Sequence, residues 1–122
     1  MKIAIVEDEE VWRDKIRNLI DKYYRDKNIP AQIDTYGNGS DFMKNADADL
    51  LFLDIELAEG EDGFDIADKL MNFKNQCKIC FLTSHTELAR AGYRVNAFRY
   101  IDKKHLEEVG EAIDAFLRTR MQ

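Results

Sequence analysis

Hydrophobic residues along the chain alternate between short continuous runs and longer stretches with helical spacing. The apolar runs within Lys2–Val6, Asp49–Asp54 and Lys78–Thr83 predict three strands that are buried on both faces of a sheet. Gln32–Tyr36 alternates polar and apolar residues, as an edge strand does, and Ala97–Ile101 predicts a fifth strand.

Apolar residues at helical spacing lie between these strands and after the last one. They predict helices around residues 12–23, 42–43, 64–71, 88–95 and 106–117. Asn38 is placed to cap the short second helix, whereas Asn28 and Pro30 end the first one. The fourth segment offers little apolar surface, and the fifth is clearly amphipathic.

This (βα)5 alternation predicts an α/β domain with a parallel sheet covered by helices on both faces. Right-handed crossovers leave few topologies, and the flavodoxin-like, doubly wound strand order 2-1-3-4-5 is the obvious one. It places strands 1, 3 and 4 in the centre, in agreement with their unbroken apolar runs. With 122 residues, the chain has room for one such domain, spanning residues 1–122.

Composition and charge narrow the class of protein. Hydrophobic residues make up 45% of the chain and charged residues 34%, which is typical of a globular domain. The net charge of −6 argues against direct binding of a nucleic-acid backbone by this domain. No apolar run approaches the roughly 20 residues of a membrane span, and we expect no signal peptide before Lys2. With only two cysteines, we expect a cytoplasmic, reducing location and no membrane partner.

The two cysteines, Cys77 and Cys80, form a C-x-x-C pair inside the predicted fourth strand. Residues three apart on a strand point to opposite faces, so the pair does not suit a redox or zinc site. We interpret both as structural residues.

Acidic residues follow two of the central strands. Strand 1 runs into Glu7 and Asp8, and strand 3 ends at Asp54. In this strand order the two strands are neighbours where the order reverses, so the three carboxylates are expected to converge. Because such carboxylates repel one another, a divalent cation with hard oxygen ligands, Mg²⁺, is the predicted cofactor. The alternative is that these acids are simply solvated at the strand ends.

Two further strands end in residues that suit a phosphoryl group. Strand 4 ends with the hydroxyls of Thr83 and Ser84, and Lys103 follows strand 5. Carboxylates, a metal, a hydroxyl and an ammonium at one edge would handle a phosphoryl group by positioning and charge neutralisation.

The chain resembles the receiver domains of two-component response regulators over essentially its whole length. The matching segments are "IVEDE", "LFLDIEL" with "DGFDIA", "FLTS" and "FRYIDK", and "VNAFRYIDK" is most similar to receivers of LytTR-type regulators. The resemblance implies that Asp54 accepts a phosphoryl group from a sensor histidine kinase. It also implies that Asp8 binds Mg²⁺ directly, Glu7 through water and Glu56 through its backbone carbonyl.

The resemblance assigns roles to three more residues. Lys103 pairs with the Asp54 carboxylate and then with the phosphoryl group, Thr83 donates a hydrogen bond to a phosphoryl oxygen, and Tyr100 changes rotamer with Thr83. It implies a phosphorylation-activated domain that is not an enzyme in the ordinary sense. We expect it to control an absent C-terminal DNA-binding domain, with an output and homodimer surface on the fourth helix, fifth strand and fifth helix.

The sequence departs from the family at several positions. Lys104 stands where the family usually has proline after the lysine, so we expect a trans peptide bond there. The loop after Asp54 lacks the usual proline and is one residue longer before Gly63, while Glu56 and His85 occupy variable positions that flank the phosphoryl group.

Three alternative functions make different demands on the sequence. A flavodoxin-type electron carrier would need a Ser/Thr/Gly-rich phosphate loop where this chain has "EDEE". A haloacid dehalogenase-type phosphatase would need a second Asp at the position of Glu56. A degenerate receiver that acts as a phosphorylation-independent interaction module stays the alternative, although the intact acids, Thr83 and Lys103 argue against it.

Overall fold

The computed structural model describes residues 1–73, 76–84 and 97–120, and within them a five-stranded, all-parallel sheet. Its strands are β1 (Lys2–Val6), β2 (Gln32–Tyr36), β3 (Leu50–Asp54), β4 (Lys78–Thr83) and β5 (Arg99–Asp102). They lie in the order β2-β1-β3-β4-β5. The predicted fold class and strand order are therefore confirmed, with β1, β3 and β4 in the centre.

Helices cover both faces of this sheet. They are α1 (Glu10–Asp26), α2 (Gly39–Met43), α3 (Gly63–Phe73) and the C-terminal helix (Glu107–Arg120), with a short 3-10 turn at Ala58–Gly60. The predicted fourth helix, residues 88–95, and His85 lie outside the described residues. None of the helices in the described ranges is long and apolar enough to cross a membrane.

Two asparagines end and begin helices as predicted. Asn28 adopts a left-handed conformation with φ of 58° just after α1. The N–H of Ile29 then donates to the Tyr24 carbonyl at 3.0 Å, which closes the helix end and satisfies a carbonyl that would otherwise lack a donor. Asn38 caps α2, because its Oδ1 accepts a hydrogen bond from the Asp41 N–H at 2.8 Å.

Alternate residues of the central strands supply two separate cores. One face packs against α2 and α3, and its buried residues include Val6, Phe42, Leu53, Phe64, Leu70 and Phe81. The opposite face packs against α1 and the C-terminal helix, and its buried residues include Ile5, Ile16, Ile20, Phe52, Leu82, Ile113 and Phe116. The central strands are therefore buried on both faces. Because all strands are parallel, their carboxyl ends lie at one edge of the sheet, between the two helical layers.

The cysteines lie on opposite sides of β4, as the strand period requires. Cys77 belongs to the core on the α2–α3 side and Cys80 to the core beside α1. Both are buried, and burial raises the pKa of the Cys80 thiol to about 12. A buried thiol with a raised pKa is a poor nucleophile, so the structural interpretation of these residues holds.

The fifth strand is displaced toward the C-terminus from its predicted position. It begins at Arg99 rather than Ala97 and includes Asp102, which pairs in register with Thr83. The N–H of Lys103 donates to the Thr83 carbonyl at 2.9 Å and extends this pairing by one bond. There is no cis peptide bond among the described residues, so the bond from Lys103 to Lys104 is trans, as expected.

Candidate functional site

The ends of β1 and β3 place three carboxylates together at one edge of the sheet. Val6 is in register with Leu53, so Glu7 follows β1 at the level where Asp54 ends β3. The Glu7 N–H donates to the Tyr36 carbonyl at 3.0 Å, which holds this turn of the chain against β2. Carboxylate oxygens of Glu7, Asp8 and Asp54 all lie within 4.8 Å of one another. This is the convergence that the strand order predicts.

A buried lysine bridges two of these acids. Lys103 Nζ lies 2.8 Å from Glu7 Oε1 and 3.1 Å from Asp54 Oδ2. The Lys103 side chain is only 4% exposed, and those of Glu7 and Asp54 are 0% and 7% exposed. Among the described residues, one ammonium therefore faces two buried carboxylates with Asp8 beside them, so these four side chains together carry an excess of acidic groups.

Glu7 carries the clearest sign that another positive charge belongs here. Its second oxygen, Oε2, is buried and has no hydrogen-bond partner among the described residues. Burial and the adjacent Asp54 carboxylate raise the pKa of Glu7 from 4.5 to about 8, against the opposing effect of Lys103. Although burial alone would lower the pKa of Lys103, Glu7 and Asp54 raise it. An unsatisfied buried carboxylate oxygen among hard oxygen donors fits a divalent cation such as Mg²⁺.

The loop after β3 folds tightly against Asp54. The Glu56 N–H donates to Asp54 Oδ1 at 3.2 Å, while the Glu56 side chain is exposed. Further along, the Gly63 N–H donates to the Ile55 carbonyl at 2.8 Å. Asp62 caps α3, since its Oδ1 accepts from the Phe64 N–H at 2.8 Å. The loop thus fixes one oxygen of Asp54 while Lys103 fixes the other.

The remaining predicted residues lie on β4 and β5. Thr83 ends β4 and is 2% exposed, and its backbone carbonyl anchors Lys103. Tyr100 is half-buried and stacks on Phe81, with ring centroids 5.4 Å apart and an interplanar angle of 23°. Tyr100 is therefore one strand away from Thr83 and packs against the core on the α2–α3 side.

Two residues of α1 touch the site, although neither was among the predicted site residues. The Trp12 ring lies 5.3 Å from Lys103 Nζ, measured to the ring centroid. Arg13 Nη1 donates to the backbone carbonyl of Glu7 at 3.0 Å. Their position in the sequence could have indicated this. Both lie in the first turn of the helix that follows Glu7 and Asp8, and that turn must start at the same edge of the sheet.

The fold and the site define a flavodoxin-like α/β domain with an acidic pocket at the point where strand order reverses. The chain matches the response regulator receiver domain family over residues 3–114, and it belongs to that family of signalling domains.

Curated relatives agree with the LytTR-type resemblance. The chain is 34% identical over 108 residues to the sensory transduction protein LytT of Enterococcus faecalis. The match covers 88% of this chain and 44% of that protein. LytT of Bacillus subtilis matches with the same identity and coverage. The chain thus spans less than half the length of these relatives, and the resemblance to LytTR-type receivers is confirmed.

Solved structures agree on the fold. The response regulatory domain of MrkE from Klebsiella pneumoniae superposes with a TM-score of 0.85 at 26% identity, covering 100% of both chains. The N-terminal domain of a response regulator/sensory box/GGDEF 3-domain protein from Carboxydothermus hydrogenoformans has a TM-score of 0.80 at 27% identity. That match covers 99% of this chain and 97% of the other.

Proposed function

We propose that this receiver domain acts in the cytoplasm and accepts a phosphoryl group on Asp54 from the phosphohistidine of a sensor histidine kinase. The observation that supports this most is the placement of the Asp54 carboxylate. One oxygen pairs with Lys103 Nζ at 3.1 Å, and the group lies within 4.8 Å of the Glu7 and Asp8 carboxylates. A nucleophile beside both an ammonium and a cation site suits attack on an anionic phosphoryl donor.

Mg²⁺ is the cofactor that this proposal requires. Asp8, Asp54 and the backbone carbonyl of Glu56 would hold the ion directly, and Glu7 would hold it through water. When bound, the ion neutralises the acids and the phosphoryl oxygens that approach them. The orphaned Oε2 of Glu7 supports this assignment, since a metal-bound water would donate to it.

The transfer uses the residues of the site as follows. An oxygen of Asp54 forms a bond to phosphorus while the phosphorus–nitrogen bond of phosphohistidine breaks, and the imidazole nitrogen leaves with the electron pair. The product is an acyl phosphate on Asp54. Lys103 then pairs with the phosphoryl oxygens, and the Thr83 hydroxyl donates a hydrogen bond to one of them. The kinase supplies the phosphoryl group, and the domain supplies positioning and charge.

Phosphorylation by a small donor tests this function without the kinase. Incubation with acetyl phosphate and Mg²⁺ should add the mass of one phosphoryl group to the intact protein, and EDTA should abolish the addition. Asp54→Asn should prevent it. Asp62→Asn is the matched control, because asparagine also caps α3. Undiminished phosphorylation of the Asp54→Asn variant would contradict the assignment, and no phosphorylation of the wild type would favour the docking-module alternative.

We propose that phosphorylation changes the conformation of the segment between Thr83 and Tyr100. The change would alter the face formed by the predicted fourth helix, β5 and the C-terminal helix. A C-terminal DNA-binding domain and homodimerisation are the readouts we propose. The length of the LytT relatives supports a further domain, because the matched part is 44% of each. The stacking of Tyr100 on Phe81 supports a route from the end of β4 to β5.

A phosphoryl mimic tests this route. Beryllofluoride with Mg²⁺ should change amide hydrogen exchange mainly in residues 84–102 and promote weak self-association in analytical ultracentrifugation. The Asp54→Asn variant should show neither effect. Changes confined to α1 and α2 would place the output surface elsewhere.

A further inference from the structure

Trp12 packs its ring against the Lys103 ammonium of the acidic pocket. Lys103 Nζ lies over the ring, 5.3 Å from its centroid, while it also bonds Glu7 and Asp54. That distance is within the range of a cation–π contact, and such contacts are strongest for tryptophan and for cations removed from water. Lys103 meets that condition because the residue as a whole, backbone included, is only 5% exposed.

The lysine needs such support in this chain. A lysine side chain has a flexible stem of four methylene groups, and it loses much conformational freedom when its ammonium is held in one place. The residue after it is Lys104, whose N–H bonds Asp102 Oδ1 at 2.8 Å, so the backbone here is fixed by a turn. That turn orients the backbone of Lys103, and its long side chain must be oriented by what it touches.

We propose that Trp12 is a positioning residue for the phosphoryl transfer on Asp54, holding the Lys103 ammonium between Glu7 and Asp54. This inference rests on the proposed function, because the role of Lys103 in the transfer is part of it. The negative face of the indole attracts the ammonium, and the bulk of the ring limits access of water to it. Trp12 itself stays out of contact with the phosphoryl group.

A purely structural role for Trp12 makes a different prediction. Trp12 is half-buried and packs at the margin of the core formed with α1 and the C-terminal helix. If packing were its whole contribution, leucine would replace it well and any loss would appear in folding stability. If Trp12 acts through its aromatic face, phenylalanine should preserve its function and leucine should not.

A second lysine provides the control. Lys15 Nζ also lies 5.3 Å from the Trp12 centroid, but Lys15 is exposed and does not reach the carboxylates. Lys15→Ala removes a cation from the same ring and keeps good helix propensity. It should leave phosphorylation unchanged.

The first experiment measures the rate constant of phosphorylation by acetyl phosphate at saturating Mg²⁺. Trp12→Leu should slow it by about threefold to tenfold, as expected for loss of a desolvated cation–π contact. Trp12→Phe should stay within about twofold of the wild type, since it retains an aromatic face. In a Lys103→Gln background, Trp12→Leu should cause no further loss, because Trp12 acts through Lys103. An unchanged rate in Trp12→Leu, equal losses with Phe and Leu, or an undiminished loss in the Lys103→Gln background would overturn the proposal.

A second measurement does not depend on phosphorylation or on the folding of any variant. Protons on the Cε of Lys103 should resonate upfield of those of the exposed lysines in the NMR spectrum of the wild type, because they lie over the indole ring. An ordinary chemical shift would overturn the contact. A wild type that shows the upfield shift but takes no phosphoryl group would leave the contact standing and contradict the proposed function, so the two failures are distinguishable.

Discussion

Gly63 lies directly against the backbone of Asp54: a Cβ atom at position 63 would sit 2.2 Å from the Asp54 carbonyl oxygen and 2.9 Å from the Ile55 Cα. No side chain fits there, and the obstructing atoms are backbone that cannot rotate away. The first turn of α3 therefore packs on the strand end that carries Asp54, the proposed phosphoacceptor, and the glycine of the "DGF" segment makes that approach possible.

We expect Gly63→Ala to lower the free energy of unfolding by about 1–3 kcal/mol, the usual cost of forced overpacking. Urea denaturation measures it. Gly37→Ala is the control, because its Cβ would meet only Arg13 Nη1 at 3.5 Å, an ordinary contact. The account of this packing is wrong if both variants are equally stable.

The raised pKa of Glu7 predicts an unusual pH dependence of the metal-free protein. The unfolded chain releases this proton near 4.5, whereas burial and Asp54 keep it on the folded protein to about pH 8. Between these values the folded state binds more protons, so the contribution of Glu7 to stability falls as pH rises. The groups that face it are Asp8, Asp54 and Lys103.

Melting temperatures in EDTA test this dependence between about pH 5.5 and pH 8. Glu7→Gln mimics the protonated group and should flatten the fall relative to the wild type. Glu111→Gln, an exposed position of the C-terminal helix, should leave the slope as it is. Identical slopes in wild type and Glu7→Gln would show that Glu7 does not hold a proton in this range.

Mg²⁺ should stabilise the folded protein, because only folding brings Glu7, Asp8 and Asp54 together to form the proposed site. We expect millimolar Mg²⁺ to raise the melting temperature at neutral pH, and more so as Glu7 loses its proton. Asp8→Asn should remove most of that rise, whereas Glu111→Gln should keep it. A wild type that melts at the same temperature with and without Mg²⁺ would count against a metal site.

The cap of α2 gives a prediction independent of the site. Asn38→Ala removes the acceptor for the Asp41 N–H and should cost about 1 kcal/mol of stability, with a range of roughly 0.5–2. Asn38→Ser keeps an acceptor and should lose much less. Equal losses in urea denaturation would mean that the side-chain bond contributes nothing.

The fold was predictable because the apolar runs indicate the order of the elements, and right-handed crossovers leave few sheet topologies for that order. The strand order also predicts that Glu7, Asp8 and Asp54 meet at one edge of the sheet. In the structure, carboxylate oxygens of all three lie within 4.8 Å of one another. The roles of Asn28 at the end of α1 and of Asn38 at the start of α2 were also predictable, because they depend on local hydrogen bonds and backbone conformation.

Contacts between distant segments were harder to predict. The sequence shows Trp12 as one apolar position of an amphipathic helix, and nothing local reveals that its ring meets Lys103. The hydrogen bond from the Gly39 N–H to Glu61 Oε1, at 2.8 Å, joins the start of α2 to the loop before α3, 22 residues away, and no sequence pattern indicates it either. Such contacts depend on how loops and helices pack at the sheet edge, and hydrophobic periodicity does not encode that packing.

The central claim is that Asp54 is the phosphoacceptor, and mapping the acyl phosphate tests it most directly. The protein would be treated with acetyl phosphate and Mg²⁺, reduced with borohydride to convert the acyl phosphate to an alcohol, and digested for tandem mass spectrometry. A single modified position should be found, at Asp54, and EDTA should abolish it. Modification at Glu7, Asp8 or any other residue in place of Asp54 would contradict the account.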